Sequence, residues 1–312
     1  LAKSWPTRRQ FLGSALAGVT AMGVSASAAG RANAQTGEIT AAPVTDSLTL
    51  FSGAGGNVLV AEAPDALLMI DSGAEETAAA LMRMVADRFG ARPVRTLINT
   101  NWRLDHTGGN AVAAGQGAEI LAQENTRGWM GMEFYVAWED RHYPAREPAA
   151  RPTRSFDRSG EMTFGAGAVR YGHLPRAHTD GDLYVHFPEQ DVIAVGNVVS
   201  AGRYPILDYS TGGWSGEMID SLAMLLEMSG AETVFVAGAG PTLRREDVQA
   251  QHDMMTEVQA RMVQAMRQGK GPAEMIEDGL TSDFGAVWGD PTLYLYNAYQ
   301  GIYGHFRDMR FA

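Results

Sequence analysis

Short β-like runs lead each half of this chain, helix-patterned segments follow them, and no Pro-, Gly- or Ser-rich linker separates the halves. A sheet hides its apolar face only by packing on another layer, so this order points to one α/β or α+β domain of stacked layers. Residues 48–51, 57–61 and 67–70 read as strands. Residues 74–88 read as a helix, with Ala78, Leu81, Met82, Val85 and Phe89 on one face. Further strands are expected at 94–99, 119–122, 161–164, 168–173, 183–187, 192–195 and 233–237. Helices are expected at 215–228, 244–268 and 292–303. In the longest, Val248, Met255, Val258, Met262 and Met266 form an apolar stripe suited to a core. Gly53-Ala54-Gly55-Gly56 lies between two strands rather than before a helix, so it reads as a hairpin turn and not a phosphate loop. Residues 130–154 are rich in aromatics, Arg and Pro without a clear period. They read as a long loop or short helix pair folded over the body.

Composition narrows the class further. Hydrophobic residues make up 45% and charged residues 20%, which excludes a disordered chain, a coiled coil and a collagen-like repeat. There is no cysteine, hence no disulfide, thiolate ligand or Cys nucleophile. The net charge of −11 argues against a nucleic-acid partner, whose phosphates need a basic face. Lysine occurs only at Lys3 and Lys270, so nearly all positive charge is Arg.

The first 34 residues read as a targeting segment. Thr7-Arg8-Arg9-Gln10-Phe11-Leu12 is a twin-arginine pair before an apolar residue, and an uncharged Gly/Ala-rich run follows to Ala29. Ala32-Asn33-Ala34 supplies a small-x-small cleavage pattern. The segment resembles a twin-arginine export signal, cleaved after Ala34. Its Gly, Ser and Thr content makes it a poor membrane anchor. No later segment suits a bilayer span, so residues 35–312 are expected to form a domain that is periplasmic or otherwise exported, without a membrane partner, with C-terminal helices from about 244. Because the sequence opens on Leu1, a non-Met start codon or an upstream start is expected.

Four segments carry chemistry: Ile70-Asp71-Ser72-Gly73, Asn99-Thr100-Asn101-Trp102-Arg103-Leu104-Asp105-His106-Thr107-Gly108-Gly109-Asn110, Ala177-His178-Thr179-Asp180-Gly181-Asp182, and Gly238-Ala239-Gly240-Pro241. Their order and spacing, over roughly residues 46–243, resemble the metallo-β-lactamase superfamily. The resemblance implies a four-layer αββα sandwich with a helical C-terminal extension. It also implies two metal ions at one edge, held by a His-x-His-x-Asp-His segment, a later His, a bridging Asp and a His in a Gly-His-Gly-Pro turn. Such ions make a hydroxide nucleophile from bound water.

This chain departs from that pattern at four positions. Asn101 and Arg103 stand where the first two His would be, Asn197 at the bridging Asp, and Ala239 at the last His. Asp105, His106 and His178 remain. Zinc normally takes at least three protein donors, so no metal or other cofactor is expected; zinc enters only if that inference is wrong. Arg103 keeps its charge and repels a cation. It either pairs with Asp105, taking over the metal's electrostatic role, or simply points outward. By the same resemblance, Asp180 and Asp182 shape the turn after His178, and Asp71 and Gly73 form a turn near the site. Thr107–Asn110 would begin a helix with backbone N–H groups facing the pocket. His142, His173, His186, His252 and His305 are scattered, and a relocated site using His173 with His178 has little support.

Three functions stay open. The first is a metal-free pseudo-hydrolase or repurposed binder of a small, anionic molecule, its pocket lined by Asn101, Arg103, Asp105, His106, His178 and Asn197 and walled by residues 129–143 and 204–209. The second is a metal-free enzyme using Asp105, His106 and His178 as acid and base. The third is a residual hydrolase of ester, lactam, lactone or thioester bonds with one weak ion. The oligomeric state is not readable.

Overall fold

The computed structural model describes residues 38–309, with side chains to Gly304; the export-signal segment 1–34 and the His305 side chain lie outside the described residues. Strands β1 (Thr40–Pro43), β2 (Leu48–Ser52), β3 (Val58–Glu62) and β4 (Leu67–Ile70) pair antiparallel in sequence order. After the helix Ala78–Phe89, β5 (Val94–Ile98) and β6 (Glu119–Gln123) add in parallel. The chain then forms the helix Glu124–Gly131 and a separate two-stranded ribbon, β7 (Phe134–Val136) with β8 (Arg141–Tyr143). It returns as β9 (Arg154–Phe156), the edge strand beside β6.

The second sheet runs β10 (Ser159–Phe164), β11 (Gly167–Leu174), β12 (Asp182–Phe187), β13 (Val192–Gly196), β14 (Val234–Ala237) and β15 (Leu243–Arg244). Only β13 and β14 pair in parallel there, because the helix Ser215–Met228 crosses between them.

Alternation along each strand builds the layers. On β4, Leu68 and Ile70 point between the sheets, where they join Leu59, Ile98 and Leu121 and meet Leu183, Val185 and Val192. Leu67 and Met69 point outward onto Leu81, Met82, Val85 and Phe89 of the helix Ala78–Phe89, the face its spacing predicts. On the far side, Ile193, Val195 and Phe235 bury against the helices Ser215–Met228, Arg245–Arg267 and Thr292–Met309. The four layers are helix, sheet, sheet, helix, so the αββα expectation holds. Each fully buried Leu or Met contributes about 1.5–3 kcal/mol relative to exposure. No helix among the described residues is long and apolar enough to cross a membrane.

One expectation is corrected. Residues 130–154 are neither a long loop nor a helix pair; they carry the β7–β8 hairpin. Its strands are three residues each, too short to show a period. Phe134, Tyr143, Trp102 and Trp129 hold it by ring contacts, with centroids 4.8–5.4 Å apart.

Candidate active site

The four chemistry-bearing segments meet at one end of the sandwich. Asp71 follows β4, Asn99–Asn110 follows β5, His178 precedes β12, Asn197 follows β13 and Gly238 follows β14. Strand ends of this kind are where α/β sheets place ligands.

Asp71 organises the floor. Its backbone sits in the left-handed region at φ 62°, which Asp tolerates better than most residues. From there its carboxylate accepts the Thr100 N–H (2.7 Å), the Thr100 hydroxyl (2.7 Å) and Nδ1–H of His106 (2.7 Å). The turn anticipated at Asp71 therefore fixes the orientation of the His106 ring. Burial pushes this imidazole's pKa down, but Asp71 and Asp105 outweigh it and raise it to about 9. His106 is thus an imidazolium at neutral pH, with Nε2 3.7 Å from Asp105 Oδ2. Burial pushes the Asp105 carboxyl up, but the charges of His106 and Arg103 bring it below the usual range.

Two glycines permit this crowding. A Cβ on Gly238 would lie 2.5 Å from both Asn197 Oδ1 and His106 Cε1. Gly196 has φ +51°, and a Cβ there would lie 2.5 Å from Thr100 Oγ1. Asn197 is thereby brought beside the His106 ring. Ala239, one residue on, is half-buried and supplies no polar side chain.

His178 has the opposite character. Its Nδ1–H donates to the Ile206 carbonyl (2.7 Å), so residues 204–209 do wall the site. Its buried Nε2 has no partner among the described residues. Burial first, then the charge of Arg103, lowers its pKa to about 3, so it is neutral. Asp182 accepts the Thr179 N–H (2.6 Å), and burial raises its carboxyl well above the ordinary range. Asp180 accepts Trp129 Nε1–H (2.7 Å), and its backbone carbonyl lies 2.8 Å from His173 Nε2. Asp182 thus bonds within the turn after His178, whereas the Asp180 carboxylate reaches across to Trp129; His173 makes no pair with His178.

Arg103 is neither solvent-facing nor bonded to Asp105. Its side chain is 11% exposed, and its direct ion pair is with Glu139 on the hairpin tip. Its guanidinium carbon lies 5.1 Å from the Trp102 ring centre and 5.4 Å from that of Trp138. NH1 is 3.8 Å from Asp208 Oδ2 and has no hydrogen-bond partner. Asp105 acts on it only through space, helping with Glu139 to raise its pKa against the effect of burial. The pairing expected with Asp105 is corrected on this point. Glu139 reaches the guanidinium first, with Tyr143 OH donating to its other oxygen. Trp138 Nε1–H in turn donates to Asp208 (3.0 Å). Asn101 is buried, with Oδ1 accepting the Arg103 N–H (2.9 Å) and Nδ2 unpaired.

A second expectation fails. The N–H groups at Gly108 and Gly109 do not face a ligand. Gly108 N–H donates to the Gly73 carbonyl (2.8 Å) and Gly109 N–H to Ser72 Oγ (3.1 Å). Glu139, Trp138 and Asp208 escaped the sequence reading; the only signal was that they fall in the two segments named as walls.

A model of the metallo-β-lactamase superfamily matches residues 52–252, well over half of the chain. The chain belongs to the metallo-β-lactamase superfamily. Among solved structures, a metallo-β-lactamase from Pontibacter korlensis superposes with a TM-score of 0.58 at 16% identity, over 70% of this chain and 99% of that one. The inverting sec-alkylsulfatase Pisa1 from Pseudomonas sp. superposes at 0.62 with 15% identity, over 84% of this chain and 50% of that one. This chain thus matches half the length of the alkylsulfatase. At these identities the likeness shows the superfamily's fold.

The two-metal centre that the superfamily resemblance implies can be tested against this donor set. Among the described residues, no three His, Cys, Asp or Glu side chains converge as a metal would need. A permanent cation, Arg103, exerts its charge on both Asp105 and His178. The residues present do not fit that centre.

Proposed function

We propose that this superfamily member works without the two-metal centre and binds a small organic molecule at the Arg103 end of the sandwich. The observation that carries the reading is the buried guanidinium of Arg103, stacked on two indoles, with its charge reaching Asp105 and His178. It supplies fixed positive charge where the resemblance would put a metal. Around it Asn101 Nδ2, Arg103 NH1 and His178 Nε2 offer two donors and one acceptor without protein partners among the described residues. Buried polar atoms of this kind are normally satisfied, so a ligand's polar group is a fitting complement.

The acid–base hydrolase reading is less well served. A general base works best with a pKa near the operating pH, whereas His178 is held to about 3. A residual single-ion hydrolase would place its cation against Arg103. We further propose, from the twin-arginine segment, that the protein acts after export. A thermal-shift screen of small organic molecules, repeated with Arg103→Ala and with chelator, tests the binding reading. Stabilisation that survives chelator and vanishes in the variant is expected. Chelator-sensitive cleavage of an ester or lactam would contradict the reading.

A further inference from the structure

The partner that Arg103 has chosen suggests what its ligand is. Glu139 does not belong to the sandwich. It sits in the turn between β7 and β8, on a ribbon hydrogen-bonded as a strand to neither large sheet. The tip is tied to the body by few polar bonds: the Arg103–Glu139 pair, Trp138 Nε1–H to Asp208, and Ala137 N–H to Ser210 Oγ (3.0 Å). The outer side of the hairpin region is open to solvent, with Met132 51% and Tyr135 43% exposed. In the same site, Asn101 Nδ2, Arg103 NH1 and His178 Nε2 have no hydrogen-bond partner among the described residues.

Glu139 therefore presents a planar carboxylate to a guanidinium flanked by two aromatic rings, from a turn outside both sheets: the hairpin strands are anchored by Val136, Phe134 and Tyr143, and the turn itself is tied by those few polar bonds. A guanidinium recognises any carboxylate through the same fork. Charge bookkeeping selects the class. Asp105 and Asp208 already lie close to Arg103, so exchanging one monoanionic carboxylate for another leaves the cluster's charge unchanged. A phosphate dianion would add a negative charge to a buried acidic surround.

We propose that Glu139 is a tethered occupant of a carboxylate subsite, and that a ligand's carboxylate displaces it from Arg103 and frees the β7–β8 hairpin. The ligand is a monocarboxylate on a flat apolar body that lies against the half-buried Trp138, with Asn101 Nδ2 completing the contacts. This rests on the metal-free binding reading and gives it a ligand class and a gate.

The test uses the purified full protein, with benzoate as probe and benzamide and inorganic phosphate as controls. Binding is followed by tryptophan fluorescence, and backbone hydrogen exchange is followed over residues 132–145. Wild type should bind benzoate saturably and in preference to both controls, with faster exchange across the hairpin when it is bound. Glu139→Gln should bind benzoate at least ~10-fold more tightly, because a tethered competitor acts at an effective concentration on the order of millimolar or higher. Should that variant lose its native circular dichroism, Glu139→Asp, one methylene shorter, should show the same direction. Equal affinity in wild type and variant, or unchanged hairpin exchange with benzoate bound, overturns the swap while leaving small-molecule binding intact. Benzamide or phosphate binding as well as benzoate overturns the ligand class alone. Binding of no probe to either form, together with a negative small-molecule screen, overturns both readings.

Discussion

Replacing Asp71 by Asn should flatten the alkaline side of the stability–pH curve. Asn keeps the shape of the side chain and tolerates the left-handed backbone at φ 62°, so the change is chiefly one of charge. In the native protein the buried His106 has its pKa raised from 6.5 to about 9, against burial, by Asp71 and Asp105. A histidine whose folded pKa is raised stabilises fully below its unfolded value and loses that contribution as pH rises through the folded one. The window is thus about pH 6.5 to 9, and the linked free energy is roughly 3 kcal/mol. The substituted amide offers His106 no charge, and it cannot replace the carboxylate's fit to both Thr100 donors. Breaking a buried pair on one side costs about 3–5 kcal/mol near neutral pH. Urea unfolding of both proteins from pH 6 to 9.5 reads both effects. Wild type should lose most of the roughly 3 kcal/mol across the window, while Asp71→Asn should start lower and change little. A wild-type stability that is flat or rising over that range would refute the reasoning, since it would mean His106 enters it neutral.

On the acid side, His178 has its pKa lowered to about 3, mainly by burial and then by Arg103. Its depressed value gives stability that is present above about 6.5 and lost as pH falls toward 3, so native signal in an acid titration should decline there; His178→Gln should blunt that decline. Gly238→Ala should destabilise by about 1–3 kcal/mol, because its Cβ would lie 2.5 Å from Asn197 Oδ1 and His106 Cε1; an unchanged denaturation midpoint would show that the loop gives way.

Periodicity was legible in most of the longer elements, though the helices Glu124–Gly131 and Pro272–Glu277 were not anticipated. Residues 67–70 and 215–228 coincide with β4 and a helix, and of the face expected on 78–89 Leu81, Met82, Val85 and Phe89 bury against the first sheet. Strands β7, β8 and β9 were not legible, since three-residue strands amid Pro and Arg show no alternation. The site was legible in parts. Motif order brought Asp105, His106 and His178 to one end of the sandwich, and Asn197 with them. The partner of Arg103 was not legible, because Glu139 arrives from 36 residues away on an element whose position depends on packing of Trp102, Phe134 and Tyr143. Asp71 was read as a turn and proved to hold His106 as well. Its backbone conformation and its three acceptor contacts are one arrangement, which a linear motif does not reveal.

The central claim, a superfamily fold with Arg103 in place of a metal centre, is tested most directly by metal content. The protein should be purified without chelator in zinc-containing buffer and its bound metal measured per folded chain. A value near zero is predicted, alongside a native circular dichroism spectrum. About one or two zinc ions per chain would contradict it, and would mean that Arg103 and its carboxylates rearrange to admit a cation.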